Sequence, residues 1–176
     1  MTIQHRPEVL APAGDMERLI AAVKYGADAV YLGGSSFGMR ANAGNFDDEE
    51  LREGVAYAHD HGVRVYLTCN TLPTNAEADA LEGFLLRAAQ AGVDALIVAD
   101  VGVLMLARRV VPQIDVHIST QTGVVNYLTA NALYQLGAKR VVLARELSLD
   151  AIREIRRRTP EDLEIECFVH GAMCMS

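Results

Sequence analysis

Apolar and polar positions alternate along the chain in long blocks. A segment with apolar residues at helical spacing ends at a glycine, and a run of five or six mostly apolar residues follows at once. The junction recurs as YGADAVYLGG, HGVRVYLTCN, AGVDALIVAD and LGAKRVVLAR, with the glycines at 26, 62, 92 and 137. Glycine enters the left-handed conformation that closes a helix without the Cβ penalty, and runs rich in Val, Ile and Leu suit strands buried on both faces. Each junction therefore reads as a helix feeding a strand. Helix starts are marked by Asp15, by Asp47 with Glu50 three residues on, by Asn75 and by Ser148, while Pro112 and Pro160 stop helices before the runs DVHIST and LEIECFVH. The pattern predicts strands near 8–11, 28–33, 63–68, 94–99, 115–118, 140–144 and 163–169, with six helices between them.

Strict alternation implies parallel strands with right-handed crossovers, in an open doubly wound sheet or a closed barrel. Polar residues decide between the two. An open sheet gathers them at one switch point, whereas a barrel draws on the end of every strand. Here Arg40 and Asn42 follow the second strand, Cys69 and Asn70 the third, Asp100 the fourth, Ser119 to Gln121 the fifth, Arg145 and Glu146 the sixth, and His170 the seventh. The stretch LAPAGD offers one glycine, so a dinucleotide fingerprint is missing after the first strand. The expected class is α/β, a parallel (β/α)8 TIM-barrel-like fold. A barrel of this kind takes about 250 residues. The 176 residues hold six and a half units, so the expectation is one incomplete domain, 1–176, whose unpaired edge strands invite self-association.

Composition narrows the setting. Half of the chain, 51%, is hydrophobic and 22% is charged, which suits a globular core. Charges interrupt each apolar run, which argues against a membrane span, and three scattered cysteines argue against a disulfide scaffold. Both point to a cytoplasmic protein. The net charge of −7 gives no general attraction for phosphate backbones, so any nucleic-acid contact must be local.

The strand ends hold the candidate chemistry. Arg40, Asn42, Asn70, Asp100 and Gln121 are the binding candidates, since guanidinium groups read carboxylates bidentately and amides and acids read hydroxyls. Arg145, Glu146 and His170 are the catalytic candidates, with a loop ion pair and a structural histidine as the plainer alternatives. No H-E-x-x-H or G-x-S-x-G occurs, so proteolysis has no visible mechanism. Cys167 and Cys174 stand seven apart in IECFVHGAMCMS, which fits neither a zinc knuckle nor C-x-x-C. Iron–sulfur clusters accept irregular spacing, but Cys167 also reads as a small apolar residue on a strand.

These segments resemble the peptidase U32 family, the collagenase-like proteases. The likeness is carried by EVLAPAG, GADAVYLGG, FGMRANAGNF, HISTQTGVVNYLTANALYQLGAKRVVLARELS and ECFVHGAMCMS, and it runs along nearly the whole chain. The last segment matches the family signature, which in members continues through a further cysteine-bearing stretch, so the chain looks like the N-terminal portion of a longer protein. The resemblance implies one of two activities: proteolysis, or the oxygen-independent hydroxylation of tRNA, rRNA or quinone precursors. In the RNA branch it implies a 4Fe-4S cluster with Cys167 and Cys174 as its first two ligands, prephenate as the oxygen donor and tRNA or rRNA as the partner. It also leaves open a fragment that lacks activity, its cluster absent for want of two ligands.

Overall fold

The computed structural model describes residues 6–38 and 45–170. Seven strands form one sheet in chain order: β1 (Leu10–Pro12), β2 (Ala29–Gly33), β3 (Arg64–Cys69), β4 (Ala95–Val98), β5 (Asp115–Ile118), β6 (Arg140–Val142) and β7 (Glu164–Glu166). Every neighbouring pair is parallel. Six helices connect them: α1 (Met16–Lys24), α2 (Asp48–Asp60), α3 (Asn75–Ala91), α4 (Val101–Val110), α5 (Tyr127–Gln135) and α6 (Leu149–Arg157). The predicted alternation and parallel class are both present.

The punctuation read from the sequence has its physical counterpart. Gly26, Gly62, Gly92 and Gly137 all take positive φ, between 72° and 100°, at the ends of α1, α2, α3 and α5. Asp47 caps α2 in a capping box with Glu50, and Asp15 and Ser148 cap α1 and α6. One cap differs from the expectation. Thr74, not Asn75, precedes α3, because Glu77 accepts from both the backbone N–H and the hydroxyl of Thr74 at 2.8 Å and so leaves Asn75 as the first helical residue. β1 also begins later than expected, since the N–H of Val9 is taken by the Asp28 carboxylate at 2.8 Å.

Alternate strand residues face two cores. Val30, Leu32, Val65, Leu67, Leu96, Val116 and Val141 point to the helices and form the large core with Leu19, Val55, Leu85 and Leu104. The opposite parity, Ala29, Tyr66, Ala95 and Ile97 with Leu10 and Tyr31, fills the concave inside. That the sheet curls is shown by its first charges. Arg140, at the start of β6, donates to Glu8, two residues before β1, at 2.8 Å although four strands lie between β1 and β6. The architecture is a half-barrel with helices outside.

Candidate functional site

The concave side is divided by depth. At the N-terminal ends of the strands, Arg140 is almost fully buried and ion-paired with three carboxylates, Glu8 at 2.8 Å, Glu164 at 2.5 Å and Glu166 at 3.2 Å. Arg64 also pairs with Glu8, and the Tyr66 hydroxyl donates to the same carboxylate at 3.0 Å. The Arg140 guanidinium lies 5.2 Å from the Tyr66 ring centroid, and His117 packs edge-on against that ring at 4.6 Å. A guanidinium surrounded by carboxylates and an aromatic face satisfies its buried charge. Burial, then the charges of Arg140, Arg64 and Lys139, lower the pKa of His117 to about 3, so its imidazole is neutral. Its Nδ1 is the one buried side-chain nitrogen or oxygen among the described residues with no hydrogen-bond partner. This end is a structural plug.

The C-terminal end is open. A cavity of about 260 Å³ lies there, walled by the apolar side chains of Leu10, Tyr31, Ile97 and Val142. Around them stand Asn45, Thr68, Asn70, Ser119, Thr120, Gln121, Arg145, Glu166 and Phe168. Strand parity explains the selection: Thr68, Ser119, Glu166 and Phe168 continue the inward sides of β3, β5 and β7 toward the rim. Gly33 lets two of the polar groups close in, since a Cβ on it would meet Asn45 Oδ1 at 3.0 Å and Thr68 Oγ1 at 3.5 Å. The Thr120 hydroxyl donates to the Leu143 carbonyl at 3.2 Å, which ties the β5 loop to the segment after β6. Arg145 stacks over the Phe168 ring, with its guanidinium carbon 4.1 Å from the centroid. An apolar concavity with a few convergent amides, hydroxyls and a guanidinium is the usual build of a small-molecule site.

Of the residues singled out in the sequence, Asn70, Gln121 and Arg145 come together here. Asp100 does not. Its carboxylate accepts from the Val103 N–H at 3.0 Å as the N-cap of α4, and it lines a separate groove beside Met105 and Arg109 on the outside of the barrel. Glu146 and His170 are exposed and stand outside the lining. Arg40, Asn42 and Cys174 lie outside the described residues. Cys167 is exposed, one position past the half-buried Glu166, and shares the helix-facing parity of Ile165, not the inward parity of Glu166 and Phe168. Burial, and next the Glu166 charge, push its pKa up. Among the described residues no three His, Cys, Asp or Glu side chains cluster as metal ligands do. The pocket residues Asn45, Thr68, Glu166 and Phe168 were not singled out by sequence reading. Inward parity of strand ends could have found the last three.

No described helix is long and apolar enough to cross a membrane. The solved structure of the U32 peptidase Mk0906 superposes with a TM-score of 0.76 at 18% identity, covering 92% of this chain and 68% of that one, which supports the barrel fold. The chain is 45% identical to tRNA hydroxylation protein P1 of Bacillus subtilis over 99% of its own length and 41% of the relative's. It is 42% identical to a 23S rRNA 5-hydroxycytidine synthase of Escherichia coli, over its full length and 26% of that protein. The chain thus spans well under half the length of these relatives. The family model for peptidase family U32 matches residues 14–176, and the chain belongs to that family.

Proposed function

We propose that this chain is the N-terminal part of an RNA hydroxylase acting on tRNA, most directly on a uridine, and that the pocket at the C-terminal end of the half-barrel binds a small carboxylated oxygen donor such as prephenate. The observation that carries the reading is the pocket itself: one guanidinium, one carboxylate, three amides and four hydroxyls line a hollow with apolar walls at the face where barrels of this class carry their sites. The names of the relatives, a tRNA hydroxylation protein and an rRNA hydroxycytidine synthase, support the reaction class.

In this reading Arg145 binds a donor carboxylate, and its stacking on Phe168 fixes the plane of the guanidinium fork. Asn70 and Gln121 fix the donor's remaining polar atoms. Leu10, Tyr31, Ile97 and Val142 exclude water from the ring. A net charge of −7 gives RNA no general attraction, so the RNA is held by local basic groups or by the polypeptide that the relatives carry beyond this length. The thiols of Cys167 and Cys174 are the groups that would hold a 4Fe-4S cluster, together with two further ligands from the longer protein. The described residues agree with that only in part, since the Cys167 thiol is accessible yet its environment disfavours the thiolate. When bound, such a cluster supplies one-electron chemistry.

Peptidase activity fits the site less well. None of the described histidines lines the pocket, so its hydroxyl groups stand without an imidazole base. Nucleoside mass spectrometry on RNA from a strain lacking the gene tests the proposal. Loss of hydroxylated uridine is expected, and unchanged hydroxylation together with cleavage of collagen-like peptides by the purified protein would overturn it.

A further inference from the structure

Among the described residues Phe37 is the one non-glycine residue with left-handed backbone, at φ 62°. A side chain with a Cβ disfavours that region, and the conformation persists only where surrounding contacts over-determine it. Two contacts do so here. The Phe37 ring meets the Phe84 ring of α3 edge-on, with centroids 5.2 Å apart, and the Phe37 carbonyl accepts from both the N–H and the hydroxyl of Thr71 at 3.3 Å. Phe84 belongs to the large core and also lies under Gly34, where a Cβ would come within 3.5 Å of its ring. The anchor is therefore on the helix side of the sheet.

Its consequences fall on the concave side. Gly38, the next residue, lines the pocket, and a Cβ on it would meet Thr68 Oγ1 at 3.1 Å. Gly38 is not among the glycines with positive φ, so glycine stands there for space, and the left-handed turn falls one residue earlier, on a residue that bears a ring. Asn70, immediately before Thr71, lines the same pocket. One residue outside the lining thus sets two stretches of the wall.

Resting on the reading of the pocket as the functional site, we propose that Phe37 is its positioning residue. The ring, seated on Phe84, holds the left-handed turn that places Gly38 against Thr68, and the carbonyl ties down the segment that carries Asn70.

The test supplies a strain lacking the gene with the full-length protein as wild type, Phe37→Tyr, Phe37→Gly, Phe37→Ala, Phe84→Leu, or Phe37→Ala combined with Phe84→Leu. Hydroxylated uridine in tRNA is measured, and on the purified proteins the melting temperature and the hydrogen exchange of the Thr71 amide. Phe37→Tyr, which keeps the ring, is expected to restore the modification. Phe37→Gly relieves the backbone and should melt above Phe37→Ala, yet both should lower the modification about tenfold, as a misplaced wall does. Phe84→Leu keeps core volume; it should lower the modification on its own and add nothing once the Phe37 ring is gone, because the two rings act as one unit. Exchange at Thr71 should be about tenfold faster in both variants that lack the Phe37 ring. A merely structural ring would give modification levels that follow melting temperature. That pattern, wild-type modification by Phe37→Gly, or unchanged exchange at Thr71 would each overturn the proposal. If the wild type itself restores no hydroxylated uridine, the hydroxylase reading falls, and exchange at Thr71 alone decides whether Phe37 holds the wall.

Discussion

Arg140 and Glu8 sit 132 positions apart in the chain and 2.8 Å apart in space. They join the start of the sixth strand to the entry of the first, which ties one edge of an open sheet to the strand next to its other edge across the barrel interior. The side chain of Arg140 is 7% exposed and serves three carboxylates. Removing it leaves those carboxylates without their buried cation. Arg140→Met is therefore expected to lower unfolding free energy by about 3 kcal/mol, the low end for breaking a buried pair because Glu164 is partly solvated. Urea denaturation followed by circular dichroism measures it, and a loss below about 1 kcal/mol, the usual worth of an exposed pair, would show that the network contributes little.

The neutral His117 makes stability depend on pH. Its folded pKa, about 3, lies below the ordinary 6.5, so the unfolded chain binds the extra proton first and stability falls as pH drops from about 6.5 toward 3. At about 1.4 kcal/mol per unit the full effect approaches roughly 5 kcal/mol. Replacing the imidazole with a ring that cannot titrate, His117→Phe, should flatten this window relative to wild type. The difference between the two pH profiles is the measurement, since it cancels the carboxylates common to both.

Asp100 and Gly33 separate capping from binding. Asp100→Ala removes the cap of α4 and should cost about 1 kcal/mol in stability while ligand affinity is unchanged. Gly33→Ala should do the reverse. Its added Cβ displaces Asn45 from the pocket wall, so ligand affinity falls several-fold with little change in melting temperature. Titration and thermal unfolding on both variants decide the matter, and a fall in affinity for Asp100→Ala would return that residue to the site.

The two described cysteines should differ in reactivity. Burial among the helix-facing residues pushes the Cys69 thiol up to about 12, whereas Cys167 is exposed. Iodoacetamide followed by peptide mass mapping should label Cys167 long before Cys69. Labelling at equal rates would mean that the large core opens readily.

Much of this was legible in the sequence, and what was not has a common cause. Gly26, Gly62, Gly92 and Gly137 announced the helix ends because left-handed backbone is a local requirement of the residue itself. The strand ends announced the face of the site for the same reason of local order. Which strand-end residues meet was another matter. Asp100 looks identical in sequence whether it caps a helix or faces a ligand, and only the turn into α4 decides that it caps. Glu166 and Arg140 read as ordinary strand charges, because their pairing with Glu8 depends on how far the sheet curls, which no local pattern records. Strand parity puts Cys167 and Glu166 on opposite sides of the sheet.

The central claim, that the pocket at the strands' C-terminal ends serves RNA hydroxylation, is tested most directly by complementation. A strain lacking the gene would receive the full-length protein as wild type, as Arg145→Ala or as Asp100→Ala, and hydroxylated uridine in its tRNA would be measured by mass spectrometry. The predicted result is restoration by wild type and by Asp100→Ala, with the modification reduced at least tenfold for Arg145→Ala, as expected for loss of a charge-assisted contact to the donor. Full restoration by Arg145→Ala would contradict the account.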